Sequence, residues 1–242
     1  MKLGFIGAGN MGGAIIRGFI KSNKVNARDI LVTRKNKAAL KDMEDDLGIT
    51  ACENSAILAE KSDVIFMAVK PVMFSSVIDE IREQVKKSDP LVVSMAAGLT
   101  TDKIRDMFGF DVKLVRIMPN INAEILMSAT SVCKNSTASD EDMEMIKDLL
   151  SSIGLATEVS ENMFSVFSAI AGCSPAYVYM FIDALARGAQ KMGMNKKQAL
   201  EITAAAVVGS ANMFIKSDEH PQALVDKVCS PGGKSDRSHV VL

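Results

Sequence analysis

The sequence of 242 residues contains no tryptophan, and aromatic residues make up only 5% of it. Because proteins that hold single-stranded nucleic acid stack the bases on aromatic rings, this scarcity argues against such a platform. Histidine is also rare, and His220 and His239 are too few for a multi-histidine metal centre. The four cysteines are far apart and form no C-x-x-C pair, which argues against a disulfide framework or a zinc site. We therefore expect no metal.

An excess of one charge is lacking as well, since 28 basic residues face 29 acidic ones. A broad basic face needs such an excess, so we expect no nucleic-acid partner. The longest apolar run, residues 202–215, contains Ser210 and Asn212 and is shorter than the roughly 18 residues of a membrane-spanning helix. Glycines interrupt the apolar stretch after Lys2, which argues against a signal peptide. We expect a cytoplasmic protein without a membrane partner.

Hydrophobic residues make up 48% of the chain, which is enough for a sizeable core. In the first two-thirds, short apolar runs alternate with helical patterns. Strands are predicted at residues 3–6, 30–32, 63–69, 91–95 and 113–117, with possible edge strands at 129–133 and 156–159. Helices are predicted at residues 11–21, 37–47 and 77–85, and one that begins at Ser139 with Asp142 three residues on. This alternation predicts an α/β fold with a mostly parallel sheet covered on both faces.

Beyond about residue 160 the pattern is helical only. One apolar stripe recurs at helical spacing, and Asn195 with Gln198 can cap a helix that runs to about Ile215. Small residues are dense in that helix, which is typical of close helix packing or a subunit interface. The stripe consists of Val178, Phe181, Ile182, Leu185, Ala189 and Met192. We predict a dinucleotide-binding domain at residues 1–159 and a smaller all-α domain at 160–242.

The dinucleotide prediction depends on a G-x-G-x-x-G sequence, Gly7 to Gly12, between the first strand and the first helix. Gly7 allows a tight turn, Gly9 allows a pyrophosphate to approach the backbone, and Gly12 allows the helix to pack on the strand. The phosphates would lie at the positive end of the helix. The alternative is a glycine-rich turn without a ligand. In its strand–turn–helix context the motif predicts a Rossmann-type, doubly wound fold.

The end of the second strand bears on the choice of cofactor. An acidic residue there would bind the ribose hydroxyl of NAD, but this sequence has Thr33, Arg34 and Lys35 instead. A guanidinium and a hydroxyl suit the 2′-phosphate of NADP, so we predict NADP(H) in preference to NAD(H). The alternative is a solvated basic loop. Lys70, at the end of another strand, could contact the cofactor or could equally be an exposed residue held by Pro71.

Six segments, in order, give the sequence a family resemblance: GFIGAGNMG, AVKP, SMAAG, RIMPN, SPAYVYMFIDALA and HPxxLxDKVCSPGG. Together they resemble pyrroline-5-carboxylate reductase over residues 3–233. The resemblance implies NAD(P)H-dependent reduction of 1-pyrroline-5-carboxylate to L-proline, the last step of proline biosynthesis. It also implies a helical domain that forms a homodimer or a higher homo-oligomer.

The resemblance implies site residues by position. Glu161 falls where the family has an acidic residue near the substrate, and Ser235 falls where it has a threonine hydroxyl near the ring nitrogen, so both are catalytic candidates. The substrate would contact Val228, Ser230, Gly232 and Gly233. The cofactor would contact Ile6, Gly7, Ala8, Gly9, Asn10, Met11, Thr33, Arg34, Asn54, Ala68, Val69, Lys70, Pro71, Met95, Ala96 and Ala97.

The sequence departs from the family after Gly233, where the family continues into further helices and this chain has only residues 234–242. We therefore expect a helical domain truncated at its C-terminus. One alternative function is a catalytically impaired NADP-binding protein. Another is an enzyme like the β-hydroxyacid dehydrogenases, for which Lys191 is a candidate base. The scarcity of acid–base residues does not exclude a reductase, since a protonated ring nitrogen needs only a positioned hydride donor.

Overall fold

A computed structural model describes residues 1–229, which belong to two compact units, Met1–Pro175 and Ala176–Leu242. The first unit contains an eight-stranded sheet flanked by helices. Its strands are β1 (Leu3–Ile6), β2 (Ile30–Thr33), β3 (Thr50–Ala51), β4 (Val64–Met67), β5 (Leu91–Ser94), β6 (Leu114–Met118), β7 (Ser128–Lys134) and β8 (Gly154–Glu158). Its helices are α1 (Asn10–Lys21), α2 (Lys37–Leu47), α3 (Ser55–Lys61), α4 (Phe74–Ser88), α5 (Thr101–Phe108), α6 (Asp140–Ser151) and α7 (Phe164–Phe167).

The strand order in the sheet is β3-β2-β1-β4-β5-β6-β7-β8. Every neighbouring pair is parallel except β6 with β7. The predicted α/β fold with a doubly wound, mostly parallel sheet is therefore confirmed. The chain passes from β1 outward to β3 and then returns to the other side of β1 at β4. Open sheets of this kind bind ligands where the order reverses, at the carboxyl ends of β1 and β4.

The central strands are buried on both faces, which explains why they are continuously apolar in the sequence. Phe5 on β1 and Phe66 on β4 stack with their ring centroids 4.5 Å apart. Phe19 of α1 meets both rings edge-on, at 6.4 and 6.1 Å. Burial of these rings fixes α1 against the sheet, and so fixes the loop that precedes α1.

Several helix ends follow directly from the sequence. Gly48 ends α2 in a left-handed conformation at φ 68°, as the predicted C-terminal glycine should. Ser139 and Asp142 form a capping box at the start of α6. In the second unit, Asn195 accepts hydrogen bonds from the backbone N–H groups of Lys197 and Gln198.

The sequence patterns missed three short elements, β3, α3 and α5. β3 has two residues, and α3 and α5 have seven and eight, which is too short for a distinct periodicity. The possible strand at residues 129–133 is present as β7, but its expected place at the edge of the sheet was wrong, because β7 lies between β6 and β8. It lies inside the sheet because it pairs with β6 on one side and with β8 on the other.

The helical region contains α8 (Ser174–Lys191), α9 (Lys196–Ile215) and α10 (Pro221–Val228). Many large apolar side chains of α8 and α9 are exposed, among them Phe181, Leu185, Ile202 and Met213. By length and composition alone, the helical segments Glu161–Lys191 and Lys196–Ile215 could cross a membrane. The length of the longest uninterrupted apolar run did not indicate these two segments, because mean hydropathy over a window tolerates the polar residues within them.

Candidate active site

The glycine loop between β1 and α1 lies at the point where the strand order reverses. Gly7 has φ 94°, and its backbone N–H donates to the Thr33 carbonyl at the end of β2, 2.9 Å away. A Cβ atom on Gly7 would lie 2.8 Å from the Ala68 carbonyl oxygen and 2.9 Å from Val69 Cγ1. The ends of β1, β2 and β4 can meet this closely only because residue 7 is glycine.

Gly9 and Gly12 have opposite surroundings. A Cβ atom on Gly12 would lie 2.8 Å from the Gly7 carbonyl oxygen and 3.0 Å from Ala68 Cβ, so α1 packs tightly on the loop. A Cβ atom on Gly9 would meet nothing within 4 Å. Gly9 is also the N-cap residue of α1, and no side chain caps the helix there. The open space beside an uncapped helix N-terminus suits a pyrophosphate.

The end of β2 offers positive charge. Thr33 is buried, Arg34 is half-exposed and Lys35 is exposed. Asn36 is occupied by the fold, since its side chain accepts a hydrogen bond from Ala39 N at 3.0 Å and caps α2. Within residues 1–229, neither Arg34 nor Lys35 forms an ion pair. Arg34 is therefore available to an anionic ligand.

Asn54 has a structural role at the next strand end. Its side chain accepts a hydrogen bond from Ile57 N at 2.9 Å and caps α3. That bond uses the carbonyl oxygen of the side chain, so its amide group is the part left for a ribose. The cofactor role of Asn54 stays a prediction.

The carboxyl ends of β4 and β5 lie on the other side of β1 from β2. After β4, Val69 is half-buried and Lys70 is exposed, and a 3₁₀ turn begins at Pro71. After β5, Ala96 is buried and Ala97 is exposed. Small side chains at this edge leave room for a flat ring. Lys70 has no ion-pair partner in the part of the chain that the structure describes. Both alternatives for it, a contact with the cofactor and an exposed residue held by Pro71, stay predictions.

A cleft of about 360 Å³ lies at the carboxyl ends of β5 and β6. It is continuous in sequence with the predicted cofactor segment through Ala97. Its lining combines small, aromatic and charged side chains: Ala97, Gly98, Thr100, Arg116, Met118, Glu161, Asn162, Phe164, Ser165 and Ser168. The structure thus places Glu161 in this cleft, within the first compact unit.

The Glu161 carboxylate is held by three donors. It accepts hydrogen bonds from Thr101 N at 2.8 Å, from Thr101 Oγ1 at 3.0 Å and from Arg116 Nη1 at 3.1 Å. Arg116 is 5% exposed, and its Cζ lies 4.4 Å from the centre of the Phe164 ring. Sequence reasoning missed both Thr101 and Arg116. The available signal was a cation inside the apolar run of β6, which needs a partner when it is buried.

Cys133 lies opposite Arg116 in the β6–β7 pairing and is buried. Burial, and then the nearby Glu161 charge, raise the pKa of this thiol to about 12. The fold therefore excludes the thiolate, and its stability should fall as pH rises above the ordinary thiol pKa of about 8.5. We expect the Cys133 thiol to lower the free energy of unfolding by about 2 kcal/mol between pH 7.5 and pH 10, at roughly 1.4 kcal/mol per pH unit above that pKa.

Urea unfolding of the wild type and of Cys133→Ala at both pH values measures this loss. The alanine variant is less stable at pH 7.5 because it leaves a cavity, so the comparison is between the pH-dependent losses of the two proteins. Equal losses in the two proteins would show that the fold does not raise the pKa of the Cys133 thiol above its value in the unfolded chain.

The predicted substrate residues are described only in part. Val228 is the last residue of α10 and its side chain is exposed. Ser230, Gly232, Gly233 and Ser235 lie outside the described residues.

Comparisons with known proteins identify the family. The pyrroline-5-carboxylate reductase of Escherichia coli strain K12 is 42% identical over 241 residues, which cover all of this chain and 89% of the relative. Pyrroline-5-carboxylate reductase 2 of Homo sapiens is 35% identical over 96% of this chain and 74% of its own length. The chain belongs to the pyrroline-5-carboxylate reductase family.

Two further comparisons agree with this family. Residues 161–242 match the model described as pyrroline-5-carboxylate reductase dimerisation, and residues 2–98 match the model described as NADP oxidoreductase coenzyme F420-dependent. The crystal structure of a Plasmodium falciparum pyrroline carboxylate reductase with NADP bound superimposes with a TM-score of 0.92. It is 30% identical, and the match covers all of this chain and 89% of that one. Membership of this family supports the assignment of the chain as an NAD(P)-dependent oxidoreductase that forms a homo-oligomer.

Proposed function

We propose that this chain reduces 1-pyrroline-5-carboxylate to L-proline, with NADPH in preference to NADH, as a homodimer in the cytoplasm. Family membership makes it an oxidoreductase that acts on a C=N bond, and the 42% identity over the whole chain carries that assignment. The preference for NADPH rests on Arg34. The residue that follows β2 is this cation and not the acidic residue that would bind the ribose hydroxyl of NAD.

The described residues suit the parts of a dinucleotide in turn. The open space at Gly9, beside the uncapped start of α1, would hold the pyrophosphate. Arg34 would pair with the 2′-phosphate, and the small residues after β5, Met95 to Ala97, would lie against the nicotinamide. When bound, NADPH supplies the hydride that reduces the imine carbon.

The remaining proposals on the site come from the family resemblance. Ser230, Gly232 and Gly233 would bind the substrate carboxylate through backbone N–H groups, next to Val228 at the end of α10. The Ser235 hydroxyl would lie near the ring nitrogen. If that nitrogen arrives protonated, the chain needs to hold two ligands in line, and no side chain has to give up a proton.

We propose that residues 1–159 and 160–242 are the functional domains, and that the second carries the dimer contact. The family match to a dimerisation model over residues 161–242 supports this division. The exposed apolar side chains of α8 and α9 give the physical reason, since a second copy would remove them from water. The same subunit contact would explain why two long helical segments are apolar, with no need for a membrane.

Oxidation of NADPH by the purified chain with 1-pyrroline-5-carboxylate tests the function, and L-proline should appear in equal amount. A panel that includes 3-hydroxy acids with NADP⁺ separates this activity from that of a β-hydroxyacid dehydrogenase. Turnover of only the hydroxy acids would overturn the proposal. Binding of NADPH without turnover of any substrate would favour the impaired nucleotide-binding protein.

A further inference from the structure

Three residues from separate segments meet around one carboxylate, and we call them the Glu161 clamp: Glu161, Thr101 and Arg116. Glu161 opens the 3₁₀ turn Glu161–Met163 after β8, Thr101 is the first residue of α5, and Arg116 lies on β6. All three contacts are short, at 2.8 to 3.1 Å. Glu161 thereby joins the turn, the start of α5 and the sheet.

The donors around Glu161 fit an ionised carboxylate that accepts. Its Oε1 receives Thr101 N and Arg116 Nη1, and its Oε2 receives the Thr101 hydroxyl. A carboxylate of this kind is an acceptor only. A protonated Glu161 would weaken the charge-assisted bond to a buried guanidinium. The arrangement therefore opposes a role for Glu161 as the acid of the reaction.

Glu161 compensates the positive charge of Arg116, at 3.1 Å. The guanidinium is buried, and its Nε has no hydrogen-bond partner among residues 1–229. Its other neighbour is the face of the Phe164 ring, which offers only a weak electrostatic attraction. Without Glu161, a buried cation would be left uncompensated at the base of the cleft.

The segment that the clamp holds runs from the cofactor site to the cleft. Ala97, the last predicted cofactor residue, is followed by Gly98 at φ 78° and then by Thr100, which caps α5 through Lys103 N. Both Ala97 and Thr100 line the cleft. Because Thr101 is fixed by two hydrogen bonds to Glu161, the preceding loop has one defined end.

We propose that Glu161, with Thr101 and Arg116, is a positioning residue for hydride transfer and is not a proton donor. The clamp holds the loop of residues 97–100 where nicotinamide and substrate have to be in line. This inference rests on the proposed reductase function. A misplacement of about 1 Å in such an arrangement can slow the chemical step by on the order of 100-fold.

Four variants separate positioning from proton donation: Glu161→Gln, Thr101→Val, Thr101→Ser and the double variant of Glu161→Gln with Thr101→Val. Glu144→Gln is the matched control, because it removes an exposed carboxylate that pairs with Lys147 on α6. The readouts are kcat, KM for the imine, Kd for NADPH by fluorescence, the pH dependence of kcat, and the isotope effect with 4-deuterated NADPH. Thermal unfolding of each variant shows whether it has folded.

We expect Glu161→Gln to lower kcat on the order of 10- to 100-fold, with a larger isotope effect and an NADPH Kd within about 3-fold of the wild type. The limbs of the pH profile should stay in place. Thr101→Val should lower kcat in the same direction, Thr101→Ser should restore it, and the double variant should be less than additive.

If the wild type reduces the imine, two results would overturn the proposal. One is a Glu161→Gln profile that loses a limb while Thr101→Val behaves like the wild type, which identifies a proton donor. The other is an unchanged kcat in every variant. If the wild type itself has no turnover, the proposed function fails before any substitution is made, and the clamp has no hydride transfer to position.

Discussion

Gly9→Ala should raise the Kd for NADPH by on the order of 100-fold, about 2.7 kcal/mol, and leave the folded protein intact. Gly9 has φ −77°, which alanine adopts freely, and an added Cβ would meet no protein atom within 4 Å. The methyl group would instead occupy the space through which a pyrophosphate has to approach the N–H groups of α1. Fluorescence titration with NADPH and a thermal unfolding curve give the two measurements.

Gly12→Ala is the matched control, because it adds the same methyl group three residues further on. There the Cβ would lie 2.8 Å from the Gly7 carbonyl oxygen, and backbone must move to admit it. We expect this variant to lose about 1–3 kcal/mol of stability, as overpacked sites do. If Gly9→Ala binds NADPH like the wild type, the pyrophosphate does not lie on this loop.

The contrast between these glycines was predictable from the sequence. The spacing of Gly7, Gly9 and Gly12 after an apolar run fixes both the turn and the strand–helix packing, since each glycine answers a different steric demand. The structure shows Gly7 and Gly12 in close contact and Gly9 open, as that spacing predicts. Local rules sufficed because the loop is built from consecutive residues.

The Glu161 clamp could not be predicted in the same way. Thr101 and Glu161 are 60 residues apart, and Arg116 lies 45 residues before Glu161. No periodic pattern links them. Arg116 and Glu161 meet because β7 pairs with β6 on one side and with β8, which precedes Glu161, on the other, and Thr101 reaches the same carboxylate from the start of α5. Family resemblance singled out Glu161 as an acid near the substrate, but only the tertiary contacts show what its carboxylate accepts.

Short elements were missed for a related reason. α5 has eight residues and relies on Thr100 at one end and Gly109, at φ 76°, at the other. Such caps are visible in a sequence, but they also occur in ordinary turns, and eight residues give little periodicity to decide between the two. The long helices and buried strands were found because their patterns extend over more residues.

Arg34→Ala should raise the Kd for NADPH about 30-fold and leave the Kd for NADH within about 2-fold. The two cofactors differ by one phosphate, so a change confined to NADPH identifies the group that Arg34 binds. Charge-assisted hydrogen bonds to such a group contribute roughly 1.5–3 kcal/mol, which sets the expected size. Arg34 lines a separate pocket of about 280 Å³ together with Asp42 and Asp46, which would repel a phosphate left without its cation.

Lys41→Ala is the matched control for net charge, because Lys41 is an exposed cation of α2 already paired with Glu44 and Asp45. It should change neither Kd by more than about 2-fold, as expected for an exposed pair. Adding salt should shrink the effect of Arg34→Ala, since counterions screen an attraction that is open to solvent. Equal losses for NADPH and NADH in Arg34→Ala would mean that the guanidinium supports the adenosine site as a whole, and the proposed preference for NADP(H) would then lose its basis.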